Sequence, residues 1–453
     1  MTLIGLEIHV QLSCMSKIFC SCPTTGNEEP NSRCCEICTG QPGSKPSLNK
    51  EALQKALKVA KALNCIINKT NFFSRKSYFY PDLAKNYQIT QYELPLAIHG
   101  DFQGIKIRRI HLEEDPGALI HKENYCLIDY NRSGIPLIEV VTEPNIDSPK
   151  QAREFLKQLI TVLEYLDVYD KKSEATLKAD LNISTSGEKV EIKNVNGLQD
   201  IELALEYEAQ RQLKQPAKQQ ETRGWNSERR ITFLQRTKES EADYGYITEG
   251  DLPIIEISEK EILAIKIPEL AIEKTSRFQE EYKIDKADAE VLSKNKKLSD
   301  LFEQVIQNKK EDKEFCSIAA RWIIRDFVKQ LNITGKNIEQ LKINPRSLIA
   351  LFTLYQKKKI TDNIVKSLLR YLAEGNKIEN IENHIKENKL EMQSGNKIEE
   401  YCEKAIKENP KAVEEYKKGN EKSLNFLMGH VMKLSNKTAN PSEVIKLLKK
   451  LIN

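Results

Sequence analysis

The periodicity of the apolar residues changes near residue 270, which limits the fold to a strand-containing part followed by a helical part. Before the change, segments such as Leu6–Leu12 alternate apolar and polar residues, the period of a strand with one buried face. Amphipathic helices interrupt the strands near Asn49, Ser148 and Leu198. Beyond Pro268 apolar residues recur at helical spacing. The pattern predicts an α+β fold built on a mostly antiparallel sheet, followed by all-helical domains.

The chain is too long for one hydrophobic core. It has 453 residues, whereas a domain usually spans about 100–200 residues. Hydrophobic residues make up 40% of it and charged residues 30%, a balance typical of folded proteins. The clearest helical patterns beyond residue 270 lie at Ser317–Leu331, Ser347–Leu372, Ser423–Leu434 and Pro441–Ile452. Because composition changes again at 391–397, we predict three domains: 1–270, 271–392 and 393–453.

Six of the ten cysteines lie within residues 14–38. Four of them form a Cys-x-Cys pair and, twelve residues later, a Cys-x-x-Cys pair. Two close thiol pairs joined by a loop are the layout of a tetrahedral four-cysteine zinc site. The neighbouring Cys34 leaves a second choice of ligand open, and a reduced cysteine-rich loop without metal is the alternative. We predict that one structural Zn²⁺ ion is bound by Cys20, Cys22, Cys35 and Cys38.

The chain shows no membrane or secretion signal. No stretch approaches the ~18 uninterrupted apolar residues of a membrane span, and residues 1–7 lack the basic segment of a signal peptide. Cysteines of such a protein are expected to stay reduced. We therefore expect a cytoplasmic protein that does not associate with membranes.

The positive charge is concentrated at the C-terminal end. The formal net charge of the whole chain is only +4. After Tyr416 the acids are Glu421 and Glu443, against lysines at 417, 418, 422, 433, 437, 446, 449 and 450. Such a run is either a solvated helix face or a surface for nucleic-acid phosphates, and charge alone leaves both interpretations open.

Several acids fall on strands that can lie beside the first one. Glu7 and His9 project from the same face of that strand. A later strand ends in His111–Asp115, which contains three acids, and another spans Leu137–Glu143. Converging acids would form a hard-cation site that favours Mg²⁺ or Mn²⁺. The alternative is that each acid caps a strand or pairs with Arg108, Arg109 or Arg132.

The common catalytic motifs are missing from the sequence. It contains no P-loop, no dinucleotide fingerprint, no Gly-x-Ser-x-Gly elbow and no His-Glu-x-x-His zinc-protease motif. Any chemistry must therefore use a less common site.

Eight short blocks follow one another along nearly the whole chain. They are Ile4–Gln11 (IGLEIHVQ), Lys76–Leu83 (KSYFYPDL), Tyr87–Gln91 (YQITQ), His111–Asp115 (HLEED), Asp129–Glu139 (DYNRSGIPLIE), Val190–Asn194 (VEIKN), Gln220–Arg223 (QETR) and Leu424–Met432 (LNFLMGHVM). In this order they resemble the signature blocks of the GatB/GatE family of tRNA-dependent amidotransferases. E-type members carry an inserted domain similar to aspartyl-tRNA synthetase, for which this chain has no room. The B type is the better match.

The resemblance implies a fold and a reaction. The fold is a cradle-like catalytic domain, a helical domain and a small helical tail that binds tRNA. The partners are the amidase GatA, which releases ammonia from glutamine or asparagine, and the small protein GatC, in a GatCAB heterotrimer. ATP would phosphorylate the side-chain carboxylate of Glu-tRNA(Gln), or of Asp-tRNA(Asn) as well or instead, and ammonia would then displace phosphate. Mg²⁺ would offset the charge of ATP and substrate.

Block matching also implies roles for single residues. The resemblance implies that His9, Glu114 and Glu139 form the catalytic metal site, with Glu7 beside them as a further catalytic residue. It implies that the nucleotide or the acceptor end of the tRNA is held by Tyr78, Tyr80, Asp82, Lys85, Tyr87 and Gln88. Lys193 would contact phosphate, or alternatively pair with Glu191.

The chain departs from the family pattern at three places. Residues 243–251 read DYGYITEGD where the family commonly has DYRYFPEPD, so Gly245 replaces an arginine. Residues 178–182 keep Asp180 and Asn182 of the usual Arg-Cys-Asp-x-Asn, and Ala84 replaces a proline. We expect activity to be retained, but no role is assigned to 243–251.

Two alternatives to this function are considered. One is a non-catalytic, zinc-bearing RNA-binding factor whose acids are structural; ATP turnover that depends on mischarged tRNA would exclude it. The other keeps the chemistry and changes the substrate from Glu-tRNA(Gln) to Asp-tRNA(Asn).

Overall fold

The computed structural model describes residues 2–169, 177–237, 245–336, 338, 341, 343–393 and 395–452. By internal contacts the chain forms two compact units, 1–270 and 271–453. The further division of the helical part at residue 393 stays a prediction.

The first unit combines strands and helices. In chain order its elements are β1 (Leu3–Gln11), α1 (Lys50–Ala62), β2 (Ile66–Ile67), β3 (Thr70–Asn71), β4 (Ser74–Ser77), β5 (Tyr87–Thr90), β6 (Ala97–Phe102), β7 (Ile105–Glu114), β8 (Ala118–His121), β9 (Cys126–Asp129), β10 (Pro136–Thr142), α2 (Pro149–Tyr165), β11 (Lys178–Ser184), β12 (Val190–Asn196), α3 (Leu198–Lys214), β13 (Glu221–Asn226), β14 (Ile231–Thr237), β15 (Gly245–Thr248), β16 (Ile255–Glu256) and α4 (Glu259–Ala264).

Twelve described strands form one sheet. Its order is β14-β13-β12-β11-β1-β10-β7-β5-β4-β15, with β6 paired to both β7 and β2. Neighbouring strands run antiparallel except β12 and β13, which are parallel. Strands β8 and β9 form a separate hairpin, and β3 pairs with β16. The mostly antiparallel sheet predicted from the sequence is confirmed.

One face of the sheet is apolar and carries the helices. On β1, Ile4, Ile8 and Val10 are fully buried in a core that also contains side chains of α1, α2 and α3. Burying one such side chain contributes roughly 1.5–3 kcal/mol. Because side chains alternate along a strand, Glu7 and His9 lie on the opposite face, the polar face.

The helices begin at residues that suit their position. Asn49 caps α1 by accepting hydrogen bonds from the backbone N–H groups of Glu51 and Ala52. Ser148 caps α2, and Pro149 occupies its first turn, where a missing N–H costs nothing. Both starts agree with the sequence prediction.

The second unit is helical in its described residues. Its elements are α5 (Ala271–Tyr282), α6 (Lys286–Ser293), α7 (Lys296–Ile306), α8 (Lys313–Arg321), a π-helical turn (Trp322–Phe327), α9 (Val328–Thr334), α10 (Pro345–Gln356), α11 (Asp362–Ala373), α12 (Ile381–Glu387), α13 (Asn396–Glu408), α14 (Pro410–Lys417), α15 (Glu421–Leu434) and α16 (Pro441–Ile452). Its buried apolar side chains form two clusters, from Phe278 to Ile385 and from Ile398 to Ile452.

The α+β class is confirmed, and the cradle shape stays a prediction. The continuous helical pattern at Ser347–Leu372 is interrupted, which corrects the sequence prediction. Helix α10 ends at Gln356, and Lys358 adopts a positive φ of 54°, which an α-helix does not contain. Among the described helices, none has the length and apolar content needed to cross a bilayer.

Candidate functional site

Three neighbouring strands place ionisable side chains in one row on the polar face. His9 of β1 is paired in register with Glu139 of β10, and Glu139 is paired with His111 of β7. Glu113 follows two residues after His111 and therefore lies on the same face. The predicted residues His9 and Glu139 are thus brought together, along with His111 and Glu113 of the predicted acidic segment, which block matching did not assign to the metal site.

These four side chains are in close contact. Nε2 of His111 lies 2.7 Å from an oxygen of Glu139, and Nε2 of His9 lies 3.5 Å from an oxygen of Glu113. One donor atom each from His9, Glu113 and Glu139 falls within 4.8 Å of the other two. Two carboxylates and one imidazole therefore converge on one point.

The charges of this group depend on each other. Burial opposes the charged form of Glu139, but His111, His9 and Arg109 hold the pKa of its carboxyl well below the usual range. Burial likewise opposes a charged imidazole, yet the carboxylates of Glu139 and Glu113 raise the pKa of His111 to about 9. The carboxylate of Glu139 is therefore ionised and held by cationic neighbours.

A second acidic group continues the polar face on β11 and β12. Donor atoms of Glu7, Asp180 and Glu191 lie within 4.8 Å of one another. Lys193 pairs with Glu191 at 2.6 Å and with Asp180 at 3.1 Å. Burial and the nearby Glu139 raise the pKa of Glu7. Lys193 thus makes the structural ion pair considered as an alternative, within reach of the same face.

Glu114 lies apart from His9 and Glu139. Its carboxylate pairs with Nζ of Lys85 at 2.6 Å and accepts a 2.8 Å hydrogen bond from the backbone N–H of Ile89. Because adjacent strand residues face opposite ways, Glu113 and Glu114 cannot both join the row. The structure thus brings Glu113, in place of the predicted Glu114, to His9.

The predicted substrate-holding residues form one loop and the strand after it. We call residues Tyr78–Asn86 the aromatic loop. Phe79 at its tip is 84% exposed and Tyr80 is 53% exposed. Of the remaining predicted residues, Gln88 is buried and donates to the backbone oxygen of Glu114, and the others are partly buried. Tyr87 lies beneath the guanidinium of Arg75. The loop therefore presents exposed aromatic rings beside partly buried ionic groups.

Arg109 is a further cation on the polar face. Its guanidinium lies 5.9 Å from the ring of Tyr92, which stacks on Tyr246 with ring centroids 3.9 Å apart. Its Nε is buried without a hydrogen-bond partner among the described residues. An arginine with an unused donor suits an anionic ligand.

Gly245, which replaces the family's arginine, lies beside Ser77 at the start of β15. A side chain there would point away from the stacked Tyr246, because strand neighbours alternate. Further along the same segment, Glu249 forms a two-contact ion pair with Arg75 at 2.7 Å. Asp243, also part of this family block, falls outside the described residues.

The four predicted cysteines come together. The Sγ atoms of Cys20, Cys22, Cys35 and Cys38 all lie within 4.8 Å of one another. A tetrahedral Zn²⁺ ion with bonds of about 2.3 Å separates its sulfur ligands by about 3.8 Å. A hydrogen bond from Cys20 lowers the pKa of Cys38 to about 4, and burial raises that of Cys22 to about 12. The cluster fits zinc; zinc binding itself stays a prediction.

Comparison with known proteins decides the family. The GatB/GatE catalytic domain matches residues 2–263, and the GatB domain matches residues 300–452. The B subunit of an aspartyl/glutamyl-tRNA(Asn/Gln) amidotransferase from Thermotoga maritima is 40% identical, over 99% of this chain and 98% of that protein. Proteins with the same name from Caldanaerobacter subterraneus subsp. tengcongensis and Carboxydothermus hydrogenoformans are 41% and 39% identical, over 98% of this chain and 98% and 97% of theirs.

The chain belongs to the GatB/GatE family. Its membership in this amidotransferase family, predicted from eight sequence blocks, is confirmed. Alignment over nearly the full length of these relatives also agrees with the B type. The polar face, the aromatic loop and the cysteine cluster all lie within the matched catalytic domain.

The row on the polar face of this GatB/GatE protein is compatible with Mg²⁺. Oxygen ligands of an octahedral Mg²⁺ ion lie at about 2.1 Å, so ligand pairs are separated by about 3.0–4.2 Å. The donors of His9, Glu113 and Glu139 need only small side-chain movements to reach that spacing. These residues could hold the ion, with Arg109 and Lys193 as nearby cations.

The basic tail presents its lysines to solvent. On α16, Lys446, Lys449 and Lys450 are exposed, whereas Val444 and Leu448 are buried in the apolar cluster of the tail. One face of α16 is thus apolar and buried, and the opposite face is basic and exposed, as its helical pattern predicts.

Proposed function

We propose that this protein activates and amidates the side-chain carboxylate of glutamate on mischarged Glu-tRNA(Gln), and of aspartate on Asp-tRNA(Asn). The observation that carries the proposal is the row of His9, Glu113 and Glu139 on the polar face of a GatB/GatE catalytic domain. Its similar relatives are named as amidotransferases for both kinds of tRNA. A buried group of carboxylates is costly to form without a function or a bound cation, which argues against a purely structural role.

The reaction has two balanced steps. A carboxylate oxygen of the aminoacyl group attacks the γ-phosphorus of ATP, and ADP leaves, so an acyl phosphate forms. Ammonia then attacks the carbonyl carbon, and the bond to phosphate breaks, which yields the amide and inorganic phosphate. Phosphorylation is needed because a carboxylate is a poor electrophile, and positioning with charge stabilisation accounts for most catalysis of phosphoryl transfer.

The residues of the chain divide these tasks. His9, Glu113 and Glu139 would hold Mg²⁺, and His111 keeps Glu139 in place through its 2.7 Å contact. Bound Mg²⁺ would offset phosphate charge during transfer. The guanidinium of Arg109, whose buried Nε has no partner among the described residues, would offset phosphate charge. The aromatic loop would hold the nucleotide or the acceptor end of the tRNA, where exposed rings can stack on a base.

The proposal includes partners and the metal of the cysteine cluster. The amidase GatA would supply ammonia from glutamine or asparagine, and the small protein GatC would complete a GatCAB heterotrimer in the cytoplasm. The lysines of the tail would contact tRNA phosphates. Zinc would hold the cysteine loop, defined as Cys20–Gly40.

Reconstitution tests the proposal. The protein is combined with GatA and GatC, and Gln-tRNA(Gln) is measured after addition of Glu-tRNA(Gln), ATP and glutamine; a parallel reaction contains Asp-tRNA(Asn). Amide formation that requires ATP is expected in at least one reaction. If neither charged tRNA is amidated, or if amidation proceeds without ATP, the proposal is wrong.

A further inference from the structure

The cysteine loop is joined to the segment Asp129–Gly134, which we call the bridging segment. The side-chain oxygen of Asn31 accepts a 2.7 Å hydrogen bond from the backbone N–H of Tyr130. The side-chain oxygen of Asn131 in turn accepts a 2.7 Å hydrogen bond from the backbone N–H of Arg33. Such reciprocal bonds fix the two segments to each other and involve neither the sheet nor the polar face.

Lys17 adds a buried link between the same two segments. Its side chain is fully buried, and Nζ donates to the backbone oxygen of Tyr130 at 3.1 Å and to Sγ of Cys38 at 3.5 Å. A buried ammonium is stable only beside acceptors or negative charge. Sγ of Cys38 and the backbone oxygen of Tyr130 are these acceptors, so Lys17 links the cysteine cluster directly to the bridging segment.

The bridging segment in turn holds the base of the aromatic loop. The hydroxyl of Tyr130 donates to the backbone oxygen of Pro81 at 3.0 Å. Beside it, the N–H of Gly117 donates to the backbone oxygen of Asp82 at 2.9 Å. Gly117 has no space for a side chain, because a Cβ there would lie 2.9 Å from the ring of Tyr130. Tyr130 therefore touches the loop and the turn that supports it.

A second contact joins the cysteine loop to the aromatic loop directly. Gly40, two residues after Cys38, adopts a positive φ of 69°. A Cβ at Gly40 would lie 2.3 Å from Cγ of Lys85 and 3.2 Å from its Cα. Only glycine allows this approach, and Lys85 is the residue that pairs with Glu114 at 2.6 Å.

We infer that the cysteine loop positions the aromatic loop for substrate through two residues, Tyr130 and Gly40. This inference rests on the proposed function, because it takes the aromatic loop as the substrate-holding element. The tip of that loop is exposed, so its position depends on the contacts at its base. Tyr130 and Gly40 are positioning residues: they touch the loop, and the loop touches ATP or the charged tRNA.

Matched variants test the inference in the reconstituted complex. Tyr130→Phe removes one hydroxyl, and its control Tyr125→Phe removes a hydroxyl from an exposed ring. Gly40→Ala forces Lys85 to move, whereas Gly43→Ala imposes a similar backbone cost at φ 84° with no neighbour within 4 Å. The readouts are hydrogen exchange of residues 78–86, zinc content, and KM and kcat for ATP and charged tRNA.

Loss of one hydrogen bond should raise the exchange rate of the loop amides about fivefold in Tyr130→Phe. KM for whichever substrate the aromatic loop binds should rise by a similar factor, with kcat nearly kept and zinc content unchanged. Gly40→Ala should produce the same pattern, and both controls should match wild type. If either variant behaves as its control does in both exchange and KM, the inference is overturned. If wild-type complex amidates neither tRNA, the proposed function fails, while hydrogen exchange still decides whether the loops are coupled.

Discussion

At the scale of residues, the choice between Glu113 and Glu114 determines the composition of the candidate metal site. Glu113 lies beside His9 at 3.5 Å, whereas Glu114 pairs with Lys85 at 2.6 Å. The two carboxylates are adjacent in sequence, yet they serve different clusters because strand side chains alternate. Their substitution should therefore have different effects.

Glu113→Gln should lower kcat for ATP-dependent amidation by roughly 100-fold, because it removes a charged ligand from the row. Glu114→Gln keeps the row and loosens the aromatic loop, so KM should rise more than kcat falls. Steady-state kinetics of the reconstituted complex distinguish the two. Equal losses of kcat in both variants would contradict the separation of the clusters.

Part of this site could be predicted from the sequence. Arg109, His111 and Glu113 lie at every second position of a strand, so all three side chains are on one face. The same period of two that places Glu7 beside His9 therefore also predicts the position of Glu113. Block matching instead selected Glu114 from a run of adjacent acids. The Lys85–Glu114 pair joins residues far apart in sequence, and no local pattern reports such a contact.

At the scale of elements, the cysteine loop contains few buried apolar side chains. Its stability therefore depends on the cysteine cluster and on hydrogen bonds. Its four sulfurs and the buried Lys17 are compatible with metal-bound thiolates. Metal binding and local folding are coupled in such loops.

Cys35→Ser should abolish zinc binding and lower the thermal midpoint of the catalytic unit, because one ligand of four is lost. Cys34→Ser is the matched control, since Cys34 is adjacent but is not part of the cluster. Metal analysis and thermal unfolding measure both effects. Zinc content that stays at one ion per chain in Cys35→Ser would exclude the four-thiol site.

In the helical unit, Glu303, Lys274 and Arg277 form an ion cluster whose effect on stability can be measured. Burial alone would raise the pKa of Glu303, but hydrogen bonds from Lys274 and Arg277 hold it below 4.5. A carboxyl with a lowered folded-state pKa contributes stability that is present above the unfolded pKa and lost as pH falls through the folded pKa. The contribution of Glu303 should therefore begin to fall near pH 4.5 and be lost as pH falls through its lower folded-state pKa.

Glu303→Gln should destabilise the helical unit by about 2 kcal/mol at pH 7, with a smaller difference at pH 3. The chain has two tryptophans, Trp225 and Trp322, so a Trp225→Phe background lets Trp322 report this unit. Urea unfolding followed by fluorescence gives the free energy of unfolding at each pH. A difference that does not change between pH 7 and pH 3 would mean that the Glu303 charge adds nothing.

Regular elements were easier to predict than irregular ones. The strand Leu3–Gln11 and the capped helices after Asn49 and Ser148 follow from local pattern. Strands β4 and β5 were not predicted, because polar residues on both faces erase the period of two. The end of α10 was also not predicted, since three consecutive lysines are good helix formers and no residue at 357–359 signals the turn at Lys358.

At the scale of the whole molecule, the charge distribution suits a large anionic substrate. The formal net charge is only +4, yet exposed lysines concentrate on the tail helices. A tRNA extends far beyond its acceptor end, so a surface other than the catalytic one can contribute affinity through phosphate contacts.

Changing Lys446, Lys449 and Lys450 together to Gln should weaken tRNA binding and lower the slope of log affinity against log salt by up to about 3. Lys283, Lys286 and Lys297 are also exposed, and their change to Gln makes a control with the same loss of charge. Filter binding at several salt concentrations measures both. An unchanged slope in the tail variant would mean that these lysines form a solvated helix face and do not contact phosphates.

The central claim is that the row on the polar face activates the aminoacyl carboxylate with ATP. Its most direct test is ADP formation from excess ATP in the pre-steady-state phase, with and without Glu-tRNA(Gln), by complexes containing wild-type protein or Glu139→Gln. The account predicts a burst that requires charged tRNA in the wild type and is at least about 100-fold slower in the variant, although the variant still binds tRNA and its GatA partner still hydrolyses glutamine. A burst of normal rate in Glu139→Gln would contradict the account.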